Sequence, residues 1–381
     1  MKIFIVGGGF AGIKAARELS KKLSDSHEIY LIDKKEYTTM LPNLPEITSG
    51  RLESKDITEK IINLIPSSVK FINEEIDEID FDQREISIKN KKYSYDYLIF
   101  ASGSTTNFYG FDQNLDKVNV VDSLEAAEKI KAKFTEYISK TLEATLVVSG
   151  AGFTGMELAC NLYDLCKRKH KKLNVIFVER ANTILPMLSK KLSSHALDKL
   201  KKLNFKIYTD NQVIAFDGEN ITLKNDETIK NAFFCWCSGV KSTLKPIGKY
   251  KSLPDGRIIV DEFLAIPEYQ EVYAVGDAAA IKDKNNTFLR RAVTFAQESG
   301  KQAAINIAAE IKNQERKVFK PLDLGWIIPI YISSIGQVLN KDIKGRKGIF
   351  MHYILCGLKN YSLRNFWREL KAAFKYTFAK P

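Results

Sequence analysis

A chain of 381 residues is long for one domain, and 45% hydrophobic residues are enough to build more than one core. The net charge is +12, and +8 of it falls in residues 341–381, where ten Lys/Arg (Lys341, Lys344, Arg346, Lys347, Lys359, Arg364, Arg368, Lys371, Lys375, Lys380) face two acids, Asp342 and Glu369. So localised a charge argues for an anionic surface as partner more than for a generally basic enzyme.

The first predicted elements are a strand (KIFIV), a glycine turn, a helix from Ile13 to Leu23 and a second strand (EIYLID). The turn, Gly7-Gly8-Gly9-Phe10-Ala11-Gly12, is G-x-G-x-x-G. Its first glycine permits the tight turn, its second lets backbone approach a pyrophosphate, and its third lets helix and strand pack closely. The helix start then offers free N–H groups to the phosphate. Asp33 ends the second strand, where a carboxylate can hold a ribose hydroxyl.

Next, SYDYLIFASGS is a hydrophobic strand closing on a small-residue turn that contains Ala101, Ser102 and Gly103. The opening unit then recurs. ATLVVS is a strand, Gly150-Ala151-Gly152-Phe153-Thr154-Gly155 a glycine turn, Met156 to Lys169 a helix, and NVIFVE a strand ending at Glu179. A carboxylate there favours NADH, because it repels the extra 2′-phosphate of NADPH; Arg180 beside it works the other way. FFCWCSG is a strand ending at Gly239. The stretch from Arg257 to Ala280 gives strands closing on Gly276 and Asp277, and a helix follows from about Ala292. The expected class is α/β, with two Rossmann-like dinucleotide-binding domains, the second inserted in the first. The first domain is expected over 1–112 and 245–320, the second over 113–244, and a separate C-terminal region, a membrane-association region, over 321–381.

GGGFAG, YDYLIFASGS, GAGFTGMELA, ERANTILP, WCSGV and VYAVGDAAA follow one another in this order. In that order they resemble the FAD/NAD-linked reductases with two dinucleotide-binding domains, and among these most closely the type II NADH:quinone oxidoreductases. The resemblance implies FAD on the first module and NADH on the second. It implies FAD contacts at Gly7, Gly9, Phe10, Ala11, Gly12, Asp33, Lys34, Ile76 (through its backbone, to the adenine), Ala101, Ser102, Gly103, Gly276, Asp277, Thr294 and Phe295. NADH contacts are implied at Gly150, Gly152, Phe153, Thr154, Gly155, Glu157, Glu179 and Gly239, with Glu157 facing nicotinamide and flavin as the catalytic residue. Without a role in catalysis, Glu157 would be a carboxylate stabilised in a first helical turn.

The five cysteines narrow the chemistry. None precedes Cys160, so the C-x-x-x-x-C redox pair of glutathione-reductase-like enzymes is absent from Tyr37–Gly50. Cys235 and Cys237 are expected to pack in a core strand. The four histidines are scattered and no metal-ligand spacing occurs. One departure concerns the acceptor: Thr294 and Glu298 stand where the quinone-reducing family carries glutamines.

The last predicted helix runs from Ser362 to Phe378. Leu363, Phe366, Trp367, Leu370, Phe374 and Phe378 recur on one side, with Arg364, Arg368, Lys371 and Lys375 mainly on the other. Such a helix suits the surface of an anionic bilayer. The opposite reading is a helix packed on its own protein or on the second copy of a homodimer. No window offers the roughly 20 apolar residues of a membrane span, and Met1 runs straight into a strand with no leader pattern. The expected protein is therefore peripheral on the cytoplasmic side of the membrane, passing two electrons from NADH through FAD to a lipid quinone without pumping protons. The alternatives are a soluble ferredoxin- or rubredoxin-type reductase and a sulfide:quinone reductase-like enzyme.

Overall fold

The structure is a computed structural model that describes residues 1–24, 26–339 and 341–378. The chain begins β1 (Lys2–Val6), α1 (Phe10–Lys22), β2 (Glu28–Ile32), α2 (Leu44–Ser49), β3 (Val69–Ile72) and β4 (Tyr97–Phe100). It continues with β5 (Glu143–Ser149), α3 (Phe153–Arg168), β6 (Lys172–Val178), β7 (Lys206–Tyr208) and β8 (Phe233–Trp236). Then follow β9 (Ala265–Ile266), β10 (Tyr269–Ala274) and α4 (Val293–Ile311). Last come β11 (Gly325–Ile330), β12 (Ser333–Val338), β13 (Lys341–Lys344), α5 (Arg346–Lys359) and α6 (Leu363–Thr377).

These elements form two compact units. The first holds Met1–Thr39, Thr58–Thr105 and Val240–Leu324. Its sheet has the order β9-β10-β4-β1-β2-β3, parallel except for the β9–β10 pair. Ile3, Phe4, Ile5 and Val6 of β1 are all at most 2% exposed, the mark of a strand buried on both faces. In register, Val6 lies opposite Ile32 on one side and Phe100 on the other, so three strands end level where the glycine turn leaves β1. A ligand in an open parallel sheet binds at such a carboxyl edge.

The second unit holds Met40–Ile57, Thr106–Gly239 and the chain from Gly325 onward. Its parallel sheet has the order β7-β6-β5-β8, and Ser149 lies opposite Val178 and Trp236. β11, β12 and β13 form an antiparallel sheet on which α5 packs, and α6 packs on α5. Cys235 is buried in β8, as expected for core packing, whereas Cys237 lies one residue past that strand and is only half-buried; all five cysteines are free.

Two expectations need correction. Residues 321–381 are not a separate region: from Gly325 they belong to the second unit, and Met40–Ile57 joins them there. The reason lies in α2, all six residues of which are buried. Ser49 Oγ donates to Asn161 Oδ1 of α3 at 2.8 Å, and Arg51 pairs with Asp164 of α3 at 3.0 Å. The second correction concerns α1 and α3, which begin at Phe10 and Phe153, three residues earlier than expected. Gly9 and Gly152 are their N-caps, so the third glycine of each turn is already helical. Among the described residues no helix is long and apolar enough to cross a membrane.

Candidate active site

In the first unit the glycine turn is shaped by contacts that leave no room for a side chain on Gly7 or Gly12. A Cβ on Gly7 (φ +106°) would lie 2.3 Å from the Ala101 carbonyl oxygen, and one on Gly12 would lie 1.8 Å from that of Gly7. Gly9 and Gly103 face open space. The Gly8 amide donates to Asp33 Oδ2 at 2.6 Å and the Lys35 amide to Asp33 Oδ1 at 2.8 Å, which fixes the carboxylate beside the turn. Burial pushes the Asp33 pKa up, against these two bonds. Lys34 pairs with exposed Glu75 at 2.9 Å, next to Ile76, just beyond β3.

Three further segments converge on this turn. Gly276 (φ +62°) lies against Ala11, where an added Cβ would be 3.2 Å from that of Ala11. Asp277 accepts from Ser104 Oγ at 2.9 Å, and burial raises its pKa. Gly300 of α4 crosses the Ala11 backbone so closely that a Cβ would come within 2.2 Å of its oxygen. Phe295 is buried in the first turn of α4 under the Arg290 guanidinium, while Thr294 is half-buried and Glu298 is exposed. Ser102 Oγ is buried and has no hydrogen-bond partner. This open backbone at Gly9 and Gly103, with an unpaired hydroxyl beside it, fits a dinucleotide laid along the carboxyl edge of the sheet.

The second unit repeats the device. A Cβ on Gly150 (φ +98°) would lie 2.6 Å from the Cys237 oxygen, one on Gly155 would lie 2.1 Å from that of Gly150, and Gly152 is open. The Ala151 amide donates to Glu179 Oε2 at 2.8 Å and the Ala181 amide to Oε1 at 2.9 Å. Glu179 thus holds the place in this unit that Asp33 holds in the first. Phe153 packs its ring 5.2 Å from that of Trp326, and Thr154 is exposed. Gly239 (φ +154°) sits against Tyr109, whose oxygen a Cβ would meet at 2.4 Å.

Glu157 stands in the first turn and a half of α3. Burial pushes its pKa up to about 8; His352 lowers it and Glu46 raises it further. Several further groups of this unit carry no sequence motif. Tyr109 lies beside the second turn, with the Arg180 guanidinium 5.9 Å from its ring centre. Glu46, His352 and Glu369 come together inside the second unit from three distant stretches of chain. Tyr109 follows the Asn107-Phe108 pair without any motif, and the other three are lone residues. Only burial, which a sequence does not display, marks Glu46, His352 and Glu369, while Tyr109 is exposed and is marked by its contact with Gly239.

Two glycine turns of one build, each with its own acid, define an oxidoreductase of the two-nucleotide kind. The pyridine nucleotide-disulphide oxidoreductase profile matches residues 1–303, and the chain belongs to that family, which binds FAD. Type II NADH:quinone oxidoreductases of Staphylococcus aureus and Staphylococcus haemolyticus are 27% identical to it, over 93% of this chain and 94% of theirs. Among solved structures, NDH2 from Plasmodium falciparum in complex with NADH superposes with a TM-score of 0.84, at 19% identity over 99% of this chain and 98% of that one. The sulfide:quinone oxidoreductase of Aquifex aeolicus follows at 0.79, also at 19% identity, over 98% and 92%. These two likenesses concern the fold.

Proposed function

We propose that the chain passes two electrons from NADH to a membrane quinone without pumping protons, seated on an anionic bilayer surface through α6. FAD, when bound, supplies the two-electron relay between the nicotinamide and the acceptor. The first unit would hold it. Amides of the Gly7–Gly12 turn and the start of α1 would meet the pyrophosphate, Asp33 the ribose, and the backbone near Ile76 the adenine. Ser102, Gly103, Asp277, Thr294 and Phe295 line the rest. The second unit would hold NADH in the same way, with the α3 start at the pyrophosphate and Glu179 at the ribose. Glu157, with its raised pKa, keeps a proton near neutral pH at the nicotinamide end.

The observation that carries the quinone part is the orientation of α6. Its buried residues are Asn365, Glu369, Ala372, Ala373 and Thr377. Leu363, Trp367 and Phe374, with Phe378 just beyond, are 54–72% exposed. A water-facing helix has the reverse arrangement. Arg364, Lys371 and Lys375 are exposed beside this row, whereas Arg368 is tied to Asp56 at 3.0 Å; Lys380 lies outside the described residues. Aromatic side chains flanked by cations suit an interface of acyl chains and anionic headgroups. The relatives named as NADH:quinone oxidoreductases support the same acceptor.

The test is an anaerobic NADH titration of the purified flavoprotein, followed by reoxidation with lipid quinone in anionic vesicles. Flavin bleaching by about one NADH per chain and recovery by vesicle quinone are expected. Recovery by an acidic ferredoxin or rubredoxin alone would replace the quinone reading. Light scattering in the absence of lipid would reveal a dimer that covers the same face.

A further inference from the structure

Inside the second unit lies a cluster of titratable groups that neither glycine turn uses. Glu46 of α2 is 2% exposed, His352 of α5 is 5% exposed, and Glu369 of α6 is 0% exposed. His352 Nε2 lies 3.7 Å from Glu46 Oε1 and 3.8 Å from Cys356 Sγ. Asn43 Nδ2 donates to Glu369 Oε2 at 3.4 Å. Glu46 Oε2, Glu369 Oε1 and Asn43 Oδ1 are sealed from solvent and have no hydrogen-bond partner. Glu157 of α3 belongs to the same electrostatic set, since it acts on His352 and is acted on by Glu46.

One cation acts on the set, since Arg51 shares an electrostatic interaction with Glu46, but other partners engage it as well. Arg51 is engaged by Asp164 on one side and stacks 4.7 Å from the Tyr376 ring centre on the other. Arg368 is taken by Asp56, which adds a further negative charge toward Glu369. Tyr353, Cys356 and Cys160 face the cluster with pKa values raised by burial, so they stay neutral. Three carboxyl groups and one imidazole in such surroundings cannot all be charged. Burial, and then the Glu46 charge, push the Glu369 pKa up to about 8. Burial opposes the charged imidazole of His352, while Cys356, Glu46 and Glu157 act the other way, and its pKa is raised.

We propose that Glu369, Glu46, His352 and Glu157 form a proton relay that feeds the reacting end of the second unit. The proposal rests on the quinone reading and says how its proton arrives. NADH gives up a hydride, two electrons and one hydrogen nucleus. A quinone needs two electrons and two protons, so the balanced reaction is NADH + H⁺ + quinone → NAD⁺ + quinol. The missing proton leaves Glu157 and is replaced through His352 and Glu46 from Glu369, which Asn43 holds in place. Glu369, sealed from solvent at rest, is refilled from bulk water between turnovers. Small side-chain rotations bring the 3.7 Å His352–Glu46 separation to hydrogen-bond length.

The experiment compares the full flavoprotein with Glu369→Gln and Glu46→Gln, each near-isosteric. Every protein is assayed with a water-soluble quinone and with ferricyanide, which takes electrons and no protons. The quinone-to-ferricyanide rate ratio is expected to fall at least about tenfold in both variants. At pH 7 the infrared band of protonated carboxyl groups, identified by its shift in ²H₂O, is expected to lose intensity in Glu369→Gln. An unchanged ratio, or an unchanged infrared band, overturns the relay. Wild-type protein that reduces ferricyanide but no quinone overturns the quinone reading instead, and the infrared band then still decides whether Glu369 stores a proton. If one variant fails to fold, the other carries the rate ratio, and Glu157→Gln carries the infrared measurement.

Discussion

At the scale of single residues, the three glycines of each turn are not equivalent. A side chain on Gly12 would collide with the Gly7 oxygen inside the fold, whereas one on Gly9 would meet nothing in the protein. Gly12→Val should therefore abolish soluble expression. Gly9→Val should give a folded protein with a normal far-ultraviolet spectrum and less than about a tenth of the wild-type flavin, because the pyrophosphate and the new side chain want the same space. Full flavin retention in Gly9→Val would remove FAD from this turn. Glu179 is harder to isolate. Its two oxygens are taken by the Ala151 and Ala181 amides, so Glu179→Ser lifts the repulsion of a 2′-phosphate but also unties the turn. Loss of charged-acceptor bonds costs about 1.5–3 kcal/mol each. The expected outcome is a lower kcat/KM with both coenzymes, with the NADPH-to-NADH ratio raised about tenfold; an unchanged ratio would place the ribose elsewhere. Both turns were legible in the sequence because a glycine turn and its acid sit within one βαβ unit. Tyr109 was not, since its place against Gly239 depends on chain folded from 130 residues away.

At the scale of elements, α6 shows what periodicity tells and what it leaves open. The three- and four-residue spacing of apolar residues predicted the helix from Ser362 to Phe378, within a residue of Leu363–Thr377. It could not tell which face turns inward. That is decided by α5, where a Cβ on Gly357 would come within 3.1 Å of Glu369 and Phe366. So close a crossing admits Ala372 and Ala373 and leaves the large side chains outside. A chain ending at Asn360 would therefore expose Glu46 and His352 as well as losing the lipid face, and it should aggregate. The cleaner variant is Trp367→Ser with Phe374→Ser. It should keep its flavin and its melting temperature, since both side chains are more than half exposed. Full burial of such a side chain contributes about 1.5–3 kcal/mol, and less at a headgroup boundary. Binding to anionic vesicles, followed by co-sedimentation, should fall at least about tenfold. Salt should weaken wild-type binding only in part, because the apolar contribution is not screened. Equal vesicle binding by both proteins would mean that α6 is covered by something other than lipid.

At the scale of the whole molecule, the buried cluster should govern how stability follows pH. The pKa values of Glu157 and Glu369 are raised to about 8 in the folded chain, from an ordinary value of 4.5. Between those limits the folded state holds protons that the unfolded chain has released, so stability declines as pH rises. His352, also raised, acts with the same sign: its contribution is complete below its ordinary pKa of 6.5 and is lost as pH passes its folded value. Groups of lowered pKa, such as Asp217 at about 2, matter only in acid. Each proton held in excess contributes a slope of about 1.4 kcal/mol per pH unit. The melting temperature should therefore fall steadily from pH 5.5 to pH 8, a range set by those carboxyl values. Glu369→Gln removes one of the titrating groups without adding a charge, so its curve should be flatter, and the two should diverge most at the alkaline end. Calorimetry across this range in matched ionic strength is the measurement. Parallel curves would mean that Glu369 is already ionised at neutral pH. The carboxylate would then be held by a partner, and the second unit would carry a buried charge where the relay needs a proton.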